Sequence, residues 1–146
     1  MLDTLKTLFR RDLQRLKSEI EAYESEDRLW LIEKGIANSA GNLCLHLIGN
    51  LNAYIGAILG QTGYIRQRPL EFSLKNIPKT DLISQIEATM AMVDTTLSHL
   101  SEEDLQQEYP IVVFNDKMST EFFLVHLTTH LTYHLGQINY HRRLLN

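Results

Sequence analysis

Residues 119–145 read STEFFLVHLTTHLTYHLGQINYHRRLL, and this stretch decides the expected fold. Within it, His126, His130 and His134 recur every four residues, the spacing that stacks side chains on one face of an α-helix. Ser119-Thr120-Glu121 leads into the apolar run, and no proline interrupts it. The stretch therefore predicts a long C-terminal helix, over about 119–145, that carries a row of histidines on one face.

Three further stretches have the apolar periodicity of helices, and all the prolines fall outside them. They run from about Leu2 to Tyr23, from Asn38 to Leu59, and from Thr80, a plausible N-cap, to Leu100. Four helices of about 20 residues, each about 30 Å long, bury their apolar faces most simply as a bundle. The long connection before the third helix can run the length of that bundle. An all-α four-helix bundle in up-down-down-up order is expected.

The connections carry shorter predicted elements. A short helical turn is expected between the first and second helices, within Glu24 to Ala37, and another at Ser101–Asp104. An extended piece is expected over Tyr109–Phe114. Neither an internal repeat nor a linker divides the chain, so one domain over 1–146 is predicted.

Composition narrows the range of partners. The hydrophobic fraction is 44% and the charged fraction 22%, as in ordinary globular domains. The net charge of −4 leaves no basic excess to neutralise phosphates, which argues against a nucleic-acid partner. No apolar run reaches the length of a membrane span, and the charged N-terminus does not resemble a signal peptide. A cytoplasmic protein without a membrane partner is expected.

The histidines predict a metal site. His46 lies on the second predicted helix, and its imidazole could meet the histidine row if the two helices pack together. Three histidines with open coordination positions suit zinc or a similar transition metal. His126 and His134 lie about 12 Å apart along the helix axis, so only His126/His130 or His130/His134 can share one ion. The competing interpretation is a metal-free core of hydrogen-bonded histidines.

Small and amide side chains accompany both histidine faces. Asn50 follows His46 by one turn and Gln137 follows His134, so each could accept an imidazole N–H or orient a water molecule. Gly49 and Gly136 predict a close approach of the two helices, because glycine within a helix costs about 0.5–1 kcal/mol relative to alanine.

Other polar residues have simpler interpretations. Arg66 and Arg68, in the loop after the second helix, could bind a substrate carboxylate, but solvated loop charges are favoured. His99 is expected to cap carbonyls at the end of the third helix. No carboxylate stands on the histidine row, so no catalytic residue is assigned.

The run His130-Leu-Thr-Tyr-His134-Leu-Gly-Gln137 resembles the last-helix signature of the DinB/YfiT-like superfamily of metalloenzymes. The upstream run His46-Leu-Ile-Gly-Asn50-Leu is similar to the second-helix motif of the same superfamily. Together with INYHRRLL and TGYIRQRPLEF, these runs look like a small DinB-like subfamily without an assigned function. The resemblance covers essentially the whole chain.

This resemblance implies an up-down-down-up four-helix bundle, often a homodimer, with a metal ion between the second and fourth helices. It implies His46, His130 and His134 as the metal ligands, which makes His126 a neighbour one turn away, either an outer partner or part of the pocket wall. Asn50 and Gln137 are the other candidate outer partners.

The cofactors implied are a divalent transition metal, zinc or nickel, and a low-molecular-weight thiol. The implied activity is that of a metal-dependent thiol S-transferase, with hydrolysis less favoured. The alternative is a non-catalytic bundle that binds a metal or small ligand and has a stress-related role.

Overall fold

The computed structural model describes all 146 residues, and the chain is all-helical, as predicted. Six α-helices occur where four were expected, because two of the connections contain short helices of their own. They are α1 (Leu2–Glu21), α2 (Ala40–Leu51), α3 (Arg68–Ser73), α4 (Lys79–Ser98), α5 (Glu102–Gln106) and α6 (Thr120–Leu145). A turn of 3-10 helix, Glu26–Trp30, precedes α2 at the position predicted for a helical turn.

The helix ends follow local capping chemistry. The Ser119 hydroxyl accepts the backbone N–H of Phe122 at 3.1 Å, which starts α6. α4 begins at Lys79 after Pro78, so the prediction of Thr80 as its N-cap is wrong. Proline provides the fixed backbone angle there without a capping hydrogen bond. The predicted turn at Ser101 is α5, whose first turn is closed by a capping box between Ser101 and Asp104.

The second predicted helix is not one continuous α-helix. α2 begins after Ser39, whose hydroxyl accepts the N–H of Asn42, and gives way at Asn52–Ala57 to a π-helical segment. In this segment the N–H of Ile58 bonds the carbonyl of Ala53, five residues back, at 3.2 Å. The apolar stripe continues through the segment, which is why periodicity alone predicted an uninterrupted helix.

The extended piece after α5 has little regular pairing. Its only ladder contact is an isolated antiparallel bridge between Glu108 and Ser119. The N–H of Tyr109 donates to the carbonyl of Met118 at 2.9 Å, and the Tyr109 hydroxyl donates to the carbonyl of Tyr54 at 2.6 Å. These bonds tie the loop before α6 to the segment that continues α2.

α1 runs antiparallel to α4 and packs along it. Arg10 pairs with Asp94 at 2.6 Å, and Lys17, further along α1, pairs with Glu87, earlier on α4, also at 2.6 Å. Both pairs are solvent-exposed, so they contribute little stability and mainly report the direction of the two helices.

α2 and its continuation run parallel to α4. The Asn52 amide donates to the Thr89 hydroxyl at 2.9 Å, and Gly60 sits against Thr96, where a Cβ would come within 2.6 Å of the hydroxyl oxygen. A continuous buried core draws side chains from α1, α2, α4 and α6. No helix combines the length and the apolar character needed to cross a membrane.

α1 runs parallel to α6, with which it shares a buried carboxylate. Asp12 is 1% exposed, and it accepts hydrogen bonds from Arg11 at 2.8 Å and from the Thr132 hydroxyl at 2.7 Å. Further along, Glu19 pairs with Arg142 at 2.6 Å. Burial alone would raise the pKa of Asp12, but the hydrogen bonds from Arg11 and Thr132 and the nearby arginine charges outweigh it and lower that pKa.

Asp12→Ala is expected to lower the free energy of unfolding by about 1.5–3 kcal/mol at neutral pH, because hydrogen bonds to a buried charge are lost. Asp94→Ala, which breaks the exposed ion pair to Arg10, should cost less than about 1 kcal/mol. Urea titrations of both variants measure the difference. Since the folded-state pKa is lowered, the Asp12 contribution is complete above the ordinary carboxyl pKa of about 4. It should disappear as the pH falls through the lowered value. Equal losses in the two variants would contradict this role.

Candidate metal centre

Three histidines from two helices converge between α2 and α6. The Nε2 atoms of His46, on α2, and His130, on α6, lie 3.2 Å apart. His134, one turn further along α6, places its ring centroid 4.6 Å from that of His130 and 5.1 Å from that of His46. One ring nitrogen of each residue lies within 4.8 Å of the others. The predicted trio is therefore brought together by the fold.

The directions of α2 and α6 explain this meeting. The two helices are in contact, and beyond the histidines Tyr54 packs edge-on against Phe123 with ring centroids 5.1 Å apart. Later residues of one helix thus face earlier residues of the other, so the helices are antiparallel. Because α2 is buried along its whole length, His46 points into the protein rather than into solvent.

A carboxylate that the sequence reasoning missed orients His46. Glu71, on the short helix α3, has its Oε1 atom 3.0 Å from Nδ1 of His46. The guanidinium of Arg66 donates two hydrogen bonds to the same carboxylate, from Nε to Oε2 and from Nη2 to Oε1, each 2.9 Å long. Arg66 is therefore half-buried and paired, and its interpretation as a solvated loop charge is wrong.

Gly49 makes room for that carboxylate. A Cβ atom on Gly49 would lie 1.9 Å from Oε2 of Glu71, closer than any real contact. At Gly136 a Cβ would meet nothing within 4 Å. The predicted close approach at Gly136 is therefore wrong, and the glycine on α2 serves a side chain from α3 rather than the backbone of α6.

Two of the three imidazoles have their Nδ1 atoms engaged. Nδ1 of His46 faces Glu71, and Nδ1 of His134 lies 2.7 Å from Oε1 of Gln137. A neutral imidazole that donates its Nδ1–H to an oxygen carries a free lone pair at Nε2. Both residues therefore present Nε2 as a potential ligand atom, and Gln137 contacts His134, as its spacing predicted.

His130 is the least satisfied member of the cluster. Its Nδ1 atom is buried and has no hydrogen-bond partner. Burial, followed by the neighbouring charges of His134 and His46, lowers the pKa of His130 to about 4. Burial also lowers the pKa of His46, although the hydrogen bond to Glu71 opposes that shift. Neutral imidazoles at neutral pH are the form that binds metal ions.

The separation of the first two nitrogens fits a shared ion. Two imidazole nitrogens at about 2.1 Å from one zinc ion, at angles between octahedral and tetrahedral, lie about 3.0–3.4 Å apart. The Nε2 atoms of His46 and His130 are 3.2 Å apart. Without an ion, the result depends on the tautomer of His130. If its proton is on Nδ1, two lone pairs face each other at the Nε2 atoms. If its proton is on Nε2, its buried Nδ1 is an acceptor without a partner. The residues present thus fit a divalent metal held by three neutral ligands.

The other predicted neighbours border this cluster. His126 lies one turn before His130, with ring centroids 6.3 Å apart, and packs between Phe114 and Phe123. Asn50 is buried, and its Oδ1 atom has no hydrogen-bond partner. Asn50 lies on α2 between His46 and the π-helical segment. Because α2 and α6 are antiparallel, it is expected at about the same height along the bundle as His126. Neither residue contacts the three nitrogens directly through a hydrogen bond.

Arg68, His99 and His141 make no hydrogen bond to the three histidines. The guanidinium of Arg68 stacks over the ring of Phe72 at 5.2 Å. His99 caps its helix as expected, with Nδ1 2.8 Å from the carbonyl oxygen of Thr95. His141 is buried at the far end of α6, where Nδ1 lies 2.6 Å from the Tyr23 hydroxyl. These histidines are structural.

Comparison with known proteins relates the whole chain to one family. A family model described as "Protein of unknown function (DUF1572)" matches residues 1–146. Among solved structures, the chain is similar to a conserved protein from Enterococcus faecalis, with a TM-score of 0.80 and 19% sequence identity. That alignment covers 99% of this chain and 96% of the other. At this identity the likeness concerns the fold alone. A search of curated proteins finds no match.

Proposed function

The chain belongs along its whole length to the family described as a protein of unknown function (DUF1572). Since that family assigns no activity, we propose a function from the histidine cluster. The protein binds one divalent transition metal ion, zinc or nickel, on His46, His130 and His134. The observation that carries this proposal is the pair of facing Nε2 atoms, 3.2 Å apart, from helices distant in sequence.

We also propose a DinB/YfiT-like bundle in up-down-down-up order. The pairwise directions of the helices support it: α4 is antiparallel to α1, α2 is parallel to α4, and α6 is parallel to α1. The resemblance in the two histidine motifs supports the same assignment. In this arrangement the metal site lies between the second and the last of the four long helices.

The activity we propose is that of a metal-dependent transferase acting with a low-molecular-weight thiol. When bound, the ion would supply the charge that ionises a coordinated thiol, and hydrolysis through a bound water is the less favoured use of the same charge. Because the three histidine ligands are neutral, they would not neutralise the positive charge of the ion. His126 is the nearest further imidazole that could exchange a proton.

A non-catalytic role remains the second candidate, and one observation favours it. The only carboxylate of the cluster, Glu71, already accepts hydrogen bonds from Arg66 and contacts His46. No free carboxylate is therefore available as a general base beside the nitrogens. In this role the bundle binds a metal or a small ligand without transforming it.

The proposal includes a homodimer formed through α6. One face of this helix exposes the large side chains Phe122, Val125, Tyr133 and Tyr140, and no Asp, Glu, Lys or Arg occurs between Glu121 and Arg142. Exposed large apolar side chains on an uncharged helix face are typical of protein contacts. A second copy of the chain presents the same uncharged face.

Elemental analysis of natively purified protein tests the metal site. We expect about one zinc or nickel ion per chain, retained through gel filtration, because three histidines from a rigid framework form a preorganised site. Incubation with each divalent ion before a second analysis distinguishes low occupancy from lack of affinity. Absence of bound metal after that incubation would refute the site and favour the metal-free histidine core.

A further inference from the structure

The carboxylate of Glu71 is an unusual group for its position. Glu71 is 6% exposed, and α3, which carries it, is only six residues long. A buried carboxylate is costly unless it is paired and hydrogen-bonded. Both of its oxygens are engaged, by Arg66 on one side and by Nδ1 of His46 on the other. Its burial therefore serves these two partners.

We propose that Glu71 and Arg66 act as a positioning pair that selects the metal-binding tautomer of His46. This inference rests on the proposed metal site. A carboxylate that accepts the Nδ1–H of an imidazole holds the ring orientation, leaves the lone pair on Nε2 and makes that nitrogen a better ligand. Arg66 holds the carboxylate with two parallel hydrogen bonds, a geometry specific to guanidinium groups.

The position of Arg66 strengthens the preference for one tautomer of His46. Its Nη2 atom lies 3.4 Å from Nδ1 of His46, besides its bonds to Glu71. If the carboxylate were removed, His46 would have a cationic N–H donor at Nδ1 and no acceptor there. The proton would then move to Nε2, the nitrogen that faces His130. In that tautomer Nε2 of His46 carries a proton and cannot bind a metal ion. Glu71 therefore prevents the tautomer that Arg66 alone would favour.

The backbone around Glu71 is braced as a positioning role requires. The Asn42 side-chain amide donates to the backbone carbonyls of Glu71 and Leu74, each at 2.9 Å. The ring of Phe72 packs against that of His46 with centroids 5.0 Å apart. Gly49 leaves the space that the carboxylate fills. α3 is thus fixed to α2 on both sides of the contact between Glu71 and His46.

Titration of the full chain with Co²⁺ tests the pair through affinity and through the visible spectrum of the bound ion, without reference to activity. Glu71→Ala should weaken binding about 10–100-fold, the usual effect of removing such an outer partner. Glu71→Gln should lose less, because its amide oxygen can still accept the Nδ1–H. The double variant Glu71→Ala/Arg66→Ala should bind more tightly than Glu71→Ala alone, since the competing donor has also been removed.

Gly49→Ala provides a second route to the same result without altering either charged residue. Its methyl group would displace the Glu71 carboxylate, so the Co²⁺ affinity should fall as in Glu71→Ala. Gly136→Ala is the matched control, because its methyl group meets no atom and the affinity should stay unchanged. Far-UV circular dichroism checks the fold of each variant, and Gly49→Ala together with Glu71→Gln decides the matter if Glu71→Ala does not fold.

The outcomes separate this inference from the proposed metal site. If the unaltered protein binds no Co²⁺, Zn²⁺ or Ni²⁺, both are overturned. If the unaltered protein binds tightly and the Glu71 and Gly49 variants bind equally well with the same spectrum, only the positioning role is overturned. A double variant that binds no better than Glu71→Ala would overturn the selection of the tautomer against Arg66.

Discussion

His130→Ala is expected to abolish tight metal binding while leaving the helical fold in place. This histidine supplies the nitrogen that faces Nε2 of His46 at 3.2 Å, and its removal leaves two ligands that are too few to hold the ion. The affinity should fall more than about a hundredfold, since even outer partners cost 10–100-fold. The metal-free variant should lose only about 0.5–1.5 kcal/mol relative to the metal-free parent, because His130 can make one hydrogen bond there, to Nε2 of His46, and its second nitrogen has no partner. Zinc titration and urea unfolding in chelator measure the two effects.

Two other histidines provide controls for this substitution. His126→Ala should have a smaller effect on metal affinity, because its ring packs between Phe114 and Phe123 and is no member of the converging trio. His99→Ala should have none, because His99 is exposed and bonds the carbonyl of its own helix. Equal affinity in His130→Ala and the parent protein would disprove the ligand assignment. Equal losses in all three variants would point to a general effect on folding.

Phe123→Ala is expected to lower the free energy of unfolding by about 3–5 kcal/mol, the usual cost of removing a buried aromatic ring. Phe123 is 1% exposed, and its ring lies 4.3 Å from that of Tyr109 and 5.1 Å from that of Tyr54. It also stacks against His126. The substitution would open a cavity where α6, the segment continuing α2 and the loop before α6 meet. Urea unfolding followed by circular dichroism measures the loss.

The preceding residue is the matched control. Phe122 is the same residue type on the same helix, but it is 61% exposed. Phe122→Ala should change the free energy of unfolding by no more than about 0.5 kcal/mol at a concentration where the protein is monomeric. Similar losses for the two variants would mean that this end of the core is organised differently from the packing described above.

The part of the fold with the strongest periodic signal was also the part best predicted. α6 begins and ends within one residue of its expected bounds, because Ser119 caps its first turn and the apolar repeat continues to the last. The convergence of His46 with His130 and His134 also agrees with the spacing and the resemblance. These features depend on contacts between residues on long helices, where side-chain direction follows from residue number.

The missed features depend on contacts that periodicity does not encode. Glu71 reaches His46 from a six-residue helix in a connecting segment, 25 residues later in the chain. The single local hint was Gly49, a small residue on the face of α2 that carries His46, and it was attributed to a close approach of α6. The π-helical segment is not predicted for a related reason. One extra residue in a helical turn does not change the apolar character of the stretch, so the sequence pattern does not reveal it.

Because His46 is far in the sequence from the other two histidines, binding of the proposed metal ion would be coupled to folding. His46 and His130 are 84 positions apart, so the unfolded chain does not hold His46 beside the histidines of α6. An ion that binds all three histidines would stabilise the folded chain by linking its first and last thirds. At a free concentration one hundred times its dissociation constant, it adds about 2.7 kcal/mol to native stability. Binding of the ion would then also indicate that the chain has folded completely.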